Sequence, residues 1–271
     1  MPTSRIDACF SAKKREGRTV LVGFLVVGDP SVEETTACAL AALRAGADVL
    51  ELGVPFSDPT ADGPVIAAAA YRAIQRGGSL RAALEVARRV RAESDAPLVL
   101  FTYYNPIVAF GVDALPKAAA DAGIDGLLVV DLPPEEGAEV RAGDKRENLS
   151  MIPLIAPTTG REREPKVLAG ASGFAYYVSV TGVTGTKAAP LADAGREAAA
   201  LRTRAGLPVV VGFGVRTPEQ ARDVASAGVE GVVVGTEIVR VISDAPDPRS
   251  REAAVGELIG RLRKGLDDTA G

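Results

Sequence analysis

The chain has 271 residues, 47% apolar and 24% charged, the proportions of a globular protein able to bury a full core. Its formal net charge of −4 leaves no basic excess to neutralise phosphates, which argues against nucleic acid as the main partner. It has no histidine and only two cysteines, Cys9 and Cys38, far apart, which excludes a Ser-His-Asp triad and any zinc site of the usual Cys/His kind.

Taken in chain order, short β-branched runs predict eight strands, at residues 20–26, 49–52, 98–101, 126–130, 151–155, 174–178, 208–211 and 231–234. Ala-rich amphipathic stretches separate them. Leu80, Leu84, Ala87 and Val90 fall at helical spacing, as do Val255, Leu258, Ile259, Leu262 and Leu266. Helix starts are marked at Asp29-Pro-Ser-Val-Glu-Glu and at Thr217-Pro-Glu-Gln. The strands are continuously apolar, as expected for parallel strands covered by helices. Eight such units in this length predict one (β/α)8 barrel domain over 1–271, with extra helices at the N-terminus and after strand two. A doubly wound open sheet is the rival. It would usually carry Gly-x-Gly-x-x-Gly after its first strand, and Gly23-Phe-Leu-Val-Val-Gly28 has the wrong spacing. The first residues lack the apolar core of a signal peptide, and the run at 20–27, interrupted by Gly23, is too short to cross a bilayer. A reducing cytoplasm is the expected compartment.

The interval between the second and third strands is much longer than that between the third and fourth. It holds Glu51-Leu-Gly-Val-Pro-Phe-Ser-Asp-Pro-Thr-Ala-Asp62-Gly-Pro and a helix from Pro64 to about Arg76. Long loops of this kind sit on the C-terminal face of a barrel, where active sites are built. Without histidine, proton transfer near neutral pH falls to carboxylates, tyrosine, lysine or cysteine. Glu51 at a strand end and Asp62 across a stiff loop are a candidate acid/base pair. The competing roles are a salt-bridged strand end for Glu51, a helix N-cap for Asp62 and an Asx-turn for Asp58. Asp131, ending strand four, is a further candidate.

Glycines cluster late, at Thr181-Gly-Val-Thr-Gly185, Gly212-Phe-Gly214 and Gly235-Thr236-Glu, after strands six, seven and eight. Backbone N–H groups there, with a helix starting near Thr236, suit a phosphate group; tight turns are the plainer alternative. Phe24, Phe101, Tyr103, Tyr176 and Phe213 lie at or near strand ends and could line a flat apolar pocket, or simply pack the core.

The segment from Glu51 to Ile66 closely resembles the signature of the tryptophan synthase alpha chain family. Gly28-Asp-Pro, Thr102-Tyr-Tyr-Asn-Pro106, Asp131-Leu-Pro-Pro-Glu, Ala156-Pro-Thr-Thr, Ser179-Val-Thr-Gly-Val-Thr-Gly185, Gly212-Phe-Gly-Val and Val233-Val-Gly recur in the same order. The resemblance implies a (β/α)8 barrel that cleaves indole-3-glycerol phosphate to indole and glyceraldehyde 3-phosphate. It implies Glu51 and Asp62 as catalytic groups, phosphate binding by Gly185, Gly214, Gly235 and Thr236, and an indole pocket of Phe24, Tyr103, Tyr176 and Phe213. It implies a beta-chain contact surface at Pro55, Asp58, Pro59, Asn105 and Pro133, in a tetramer of two alpha and two beta chains. No cofactor or metal is expected in this chain; pyridoxal phosphate is expected in the beta partner. The sequence departs from the usual pattern at Thr60 (commonly leucine), Ala67 (glutamine), Lys187 (arginine) and Thr236 (serine). A stand-alone lyase releasing free indole, a non-catalytic activating subunit and another phosphate-binding barrel such as a sugar-phosphate isomerase are the alternatives.

Overall fold

In the computed structural model, which describes residues 4–178, 191–212 and 214–268, the chain opens with helix α1 (Arg5–Arg15), capped by the Ser4 hydroxyl accepting from the Asp7 N–H. Strand β1 (Val20–Val26) and helix α2 (Val32–Arg44) follow, then β2 (Val49–Gly53), α3 (Pro64–Gln75) and α4 (Leu80–Arg91). Next come β3 (Leu98–Thr102), α5 (Tyr104–Phe110), α6 (Leu115–Asp121), β4 (Gly126–Val129) and α7 (Ala138–Glu147). The remainder is β5 (Ser150–Met151), β6 (Leu154–Ile155), α8 (Glu164–Leu168), β7 (Ala175–Val178), α9 (Leu191–Ala205), β8 (Val209–Gly212), α10 (Pro218–Ser226), β9 (Gly231–Val234), α11 (Thr236–Asp244) and α12 (Pro248–Asp267).

Every strand pairing is parallel, in the order β5-β4-β3-β2-β1-β9-β8-β7-β6. The two ends of that order are one stretch of chain. The Ile152 N–H donates to the Leu127 carbonyl (2.9 Å) and the Tyr176 N–H to the Pro153 carbonyl (2.9 Å), so residues 150–155 form a single stave between β4 and β7. The sheet therefore closes as the expected (β/α)8 barrel. The fifth predicted strand is split because Pro153 has no N–H to donate to a neighbour.

Side-chain alternation sorts the strands into two cores. Val20, Val22, Phe24, Val49, Val99, Leu128, Val210 and Val233 point to the barrel axis. Leu21, Leu25, Leu50, Leu52, Leu98, Leu100, Leu127, Val211 and Val232 pack outward with the helices. Both faces are buried, which is why the strands read as unbroken apolar runs. The N-terminal end is plugged by α1. Ile6 and Phe10, one helical turn apart, enter the interior core, and the Phe10 ring lies 5.4 Å from Phe174. Burying two such side chains contributes roughly 3–6 kcal/mol. At the other end Ala69, Ala70 and Ala73 of α3 join Phe24 and Val26 in the same core. Arg72 of α3 holds the buried Asp29 at 3.1 Å, tying this inserted helix to the end of β1.

Candidate active site

Glu51 lies in the middle of β2, between Phe24 of β1 and Val99 of β3 in register. Leu50 and Leu52 face the helices, so alternation turns Glu51 into the barrel. It is fully buried, and neither carboxyl oxygen has a hydrogen-bond partner among the described residues. Burial alone pushes its pKa up to about 8. A group that seemed open to a strand-end salt bridge is instead a carboxyl held neutral near pH 7.

Asp62 approaches from the loop after β2. That loop is shaped by turns in which the Thr60 N–H meets the Asp58 carbonyl (2.8 Å) and the Asp62 N–H meets the Pro59 carbonyl (3.1 Å). Gly63, not Asp62, caps α3, with proline at the first helical position, so the Asp62 side chain is free for other work. Burial raises its pKa to about 6, and the Tyr103 hydroxyl beside it pulls the other way. The two carboxyls thus sit on opposite sides of neutrality. Both act on the buried Tyr176 hydroxyl, whose own pKa they and burial push up, so the two groups share one neighbourhood.

A cavity of about 180 Å³ opens there, bounded by Asp62, Phe24, Phe101 and Tyr176 on one side and by Gly212, Gly214, Gly235 and Thr236 on the other. Phe24 and Phe101 meet edge to face at 5.2 Å. Gly212 is required beside Tyr176, because a Cβ would come within 2.7 Å of the ring. Gly214 has φ +62 and faces open space. The first turn of α11 starts at Thr236 with Gly235 as its N-cap and no side-chain cap, leaving its positive end toward the cavity. Glu51 lines neither this cavity nor a larger one of about 290 Å³ that adjoins it at Val130 and Leu154, and Asp62 lines only the first.

The other expected site residues distribute as follows. Tyr103 does not line the 180 Å³ cavity; its ring packs on Phe56 at 5.0 Å, under the loop. Gly185, Phe213 and Lys187 lie outside the described residues. Asp131 accepts from the Tyr104 N–H at 2.7 Å, serving the first turn of α5. Asp58 and Asn105 are exposed, Pro59 and Pro133 half-buried, and Pro55 is buried. They come from the loops after β2 and β4 and from the first turn of α5 after β3, on strands that neighbour one another in the sheet. Thr60 is exposed in its turn, and Ala67 is half-buried on α3. Ile66, Val130, Leu154, Val178 and Val233 also line the cavity and were not picked out in the sequence. Strand parity could have found the three valines and the leucine, and the helical face of α3 could have found Ile66.

The sequence model described as tryptophan synthase alpha chain matches residues 10–266. This chain belongs to the tryptophan synthase alpha chain family. Solved structures agree. Tryptophan synthase subunit alpha from Legionella pneumophila str. Paris is 35% identical, with 98% of this chain and 99% of that one covered and a TM-score of 0.90. A structure from Aquifex aeolicus VF5 is 37% identical over 97% and 99% of the chains, with a TM-score of 0.86. Tryptophan synthase from M. tuberculosis, in an open form with BRD0059 bound, gives 32% identity over 97% and 98%, with a TM-score of 0.86. As a family member the chain is the lyase subunit of tryptophan biosynthesis and the alpha partner in that synthase. No helix among the described residues is long and apolar enough to cross a membrane.

Proposed function

We propose that Glu51 and Asp62 divide the cleavage of indole-3-glycerol phosphate between them. The bond to break joins indole C3 to a carbon bearing a hydroxyl, and an indole carbanion leaves poorly, so C3 is protonated first. Neutral Glu51 supplies that proton. The ring then carries positive charge delocalised onto N1–H, which ionised Asp62 stabilises. Glu51, now a carboxylate, takes the hydroxyl proton. The carbon–carbon bond breaks, its electrons restore the aromatic ring, and the aldehyde of glyceraldehyde 3-phosphate forms. Glu51 ends protonated, as it began.

The observation that carries this proposal is the pair of carboxyls on opposite sides of neutrality that both act on Tyr176, with Tyr176 and Asp62 lining one aromatic cavity. Phe24 and Tyr176, with Phe213, hold the indole. Gly214, Gly235 and Thr236, with Gly185, hold the phosphate by backbone N–H groups and the α11 dipole. Asp58, Pro59, Asn105 and Pro133, with the buried Pro55 behind them, form the face toward the beta chain. Pyridoxal phosphate belongs to that partner, this chain needs no cofactor of its own, and the cytoplasm is its compartment. Glu51→Gln tests the assignment. With the beta chain present it should abolish indole formation and leave glycerol 3-phosphate binding intact; an active variant would remove Glu51 from the chemistry.

A further inference from the structure

Tyr103, expected against the indole, is 2% exposed, sits beneath the loop after β2 and lines a small cavity with Phe24, Phe101 and Asp62. Its hydroxyl accepts from the Ala61 N–H at 3.0 Å. That contact occupies an oxygen lone pair and leaves the O–H proton to be donated elsewhere. The next residue is Asp62, whose carboxylate feels the same hydroxyl.

We propose that Tyr103 is a positioning residue: its hydroxyl holds the Ala61 backbone N–H and thereby fixes the orientation of the Asp62 side chain next to it. This rests on the reaction assigned to Asp62 above. Its ring also carries Phe56, within the 55–59 segment that faces the partner, so the same side chain joins that segment to the charge that stabilises the indole cation. The other titratable groups around this contact are consistent with the role. Burial is the main reason Tyr103 keeps its proton, and the charges of Asp62 and of Asp131, just after β4, add to it. Tyr176 of β7 keeps its own proton through burial, with the charges of Glu51 and Asp62 adding to the effect. Neither Asp131 nor Tyr176 offers Asp62 a positive charge, and among the described residues the Tyr103 O–H is the group that favours its ionised state.

Tyr103→Phe removes only the oxygen and keeps the ring on Phe56. Two measurements apply: NMR titration of the labelled aspartate carboxyls, and the pH profile of indole-3-glycerol phosphate cleavage with the beta chain. In the variant the Asp62 midpoint should move up, the acid limb of the profile should follow it, and kcat should fall about tenfold or more with KM nearly unchanged. Phe56→Leu keeps the hydroxyl and should leave the Asp62 midpoint in place. An unmoved Asp62 midpoint in Tyr103→Phe overturns the proposal. So does a rise in KM alone, which would make Tyr103 a substrate contact, or an equal shift in Phe56→Leu, which would make the effect one of packing. The NMR titration needs no turnover. A wild-type chain that fails to cleave the substrate therefore defeats the reaction assignment and leaves the Tyr103–Asp62 contact separately tested.

Discussion

Glu51→Gln should make the protein more stable as well as inactive, and the gain should grow with pH. The substitution keeps the shape and leaves two polar atoms in the same buried position, so it removes little besides the ionisable proton. In the folded chain burial raises the Glu51 pKa from its ordinary 4.5 to about 8. Below the ordinary value both folded and unfolded chains hold the proton, and wild type and variant should be equally stable. Above it the unfolded chain releases the proton while the folded chain keeps it, so wild-type stability falls by about 1.4 kcal/mol per pH unit until the folded group also ionises. The deficit is under about 1 kcal/mol at pH 5, about 3 kcal/mol at pH 7 and roughly 4–5 kcal/mol at pH 8, where it levels off. Urea midpoints of the two proteins at pH 5 and pH 8 measure it, and other titrating groups cancel in the comparison. A gap of the same size at both pH values would mean that Glu51 ionises as an ordinary carboxylate, and the account of its neutrality would be refuted. The gain in a dead variant is the stability given up to hold an unpartnered carboxyl in the barrel.

The same two groups set the pH dependence of kcat/KM: it should rise through about 6 as Asp62 ionises and fall above about 8 as Glu51 loses its proton, and a profile lacking the alkaline limb would contradict the role of Glu51. Gly212→Ala should drive the Tyr176 ring into the cavity, costing about 1–3 kcal/mol and raising KM severalfold, whereas Gly214→Ala, with open space but φ +62, should cost only about 1–2 kcal/mol of backbone strain. Melting curves and substrate saturation of the two variants check this, and equal effects would count against the close approach of Tyr176 to Gly212.

Much of the architecture was legible because barrel strands are buried on both faces and helices carry a regular apolar stripe. The stripe Leu80, Leu84, Ala87, Val90 is buried as spaced, and the helix expected from Pro64 to about Arg76 runs to Gln75. The fifth strand was less legible, because Pro153 interrupts the ladder while leaving the chain in place as a stave. The ring of Tyr103 could not be placed, because β3 ends at Thr102 and the alternation that puts Phe101 at the cavity lapses one residue too soon. Asp131 shows the same limit: a carboxylate at a strand end looks reactive until its partner, the Tyr104 N–H of the neighbouring unit, is seen.

The order of the chain by itself determined which acids could do the chemistry, since it offers no histidine, places Glu51 near the end of a strand and puts Asp62 on a loop of the active face. Family membership was likewise written in motifs spread from Gly28 to Gly235. What only the tertiary structure decided is the protonation of those acids and the identity of their neighbours. Desolvation of Glu51 comes from side chains of several strands remote in sequence, and the hydroxyl that accepts from the Ala61 N–H, next to Asp62, belongs to a residue from the next strand's end. Such effects depend on distance and dielectric in space, which local composition and periodicity do not encode.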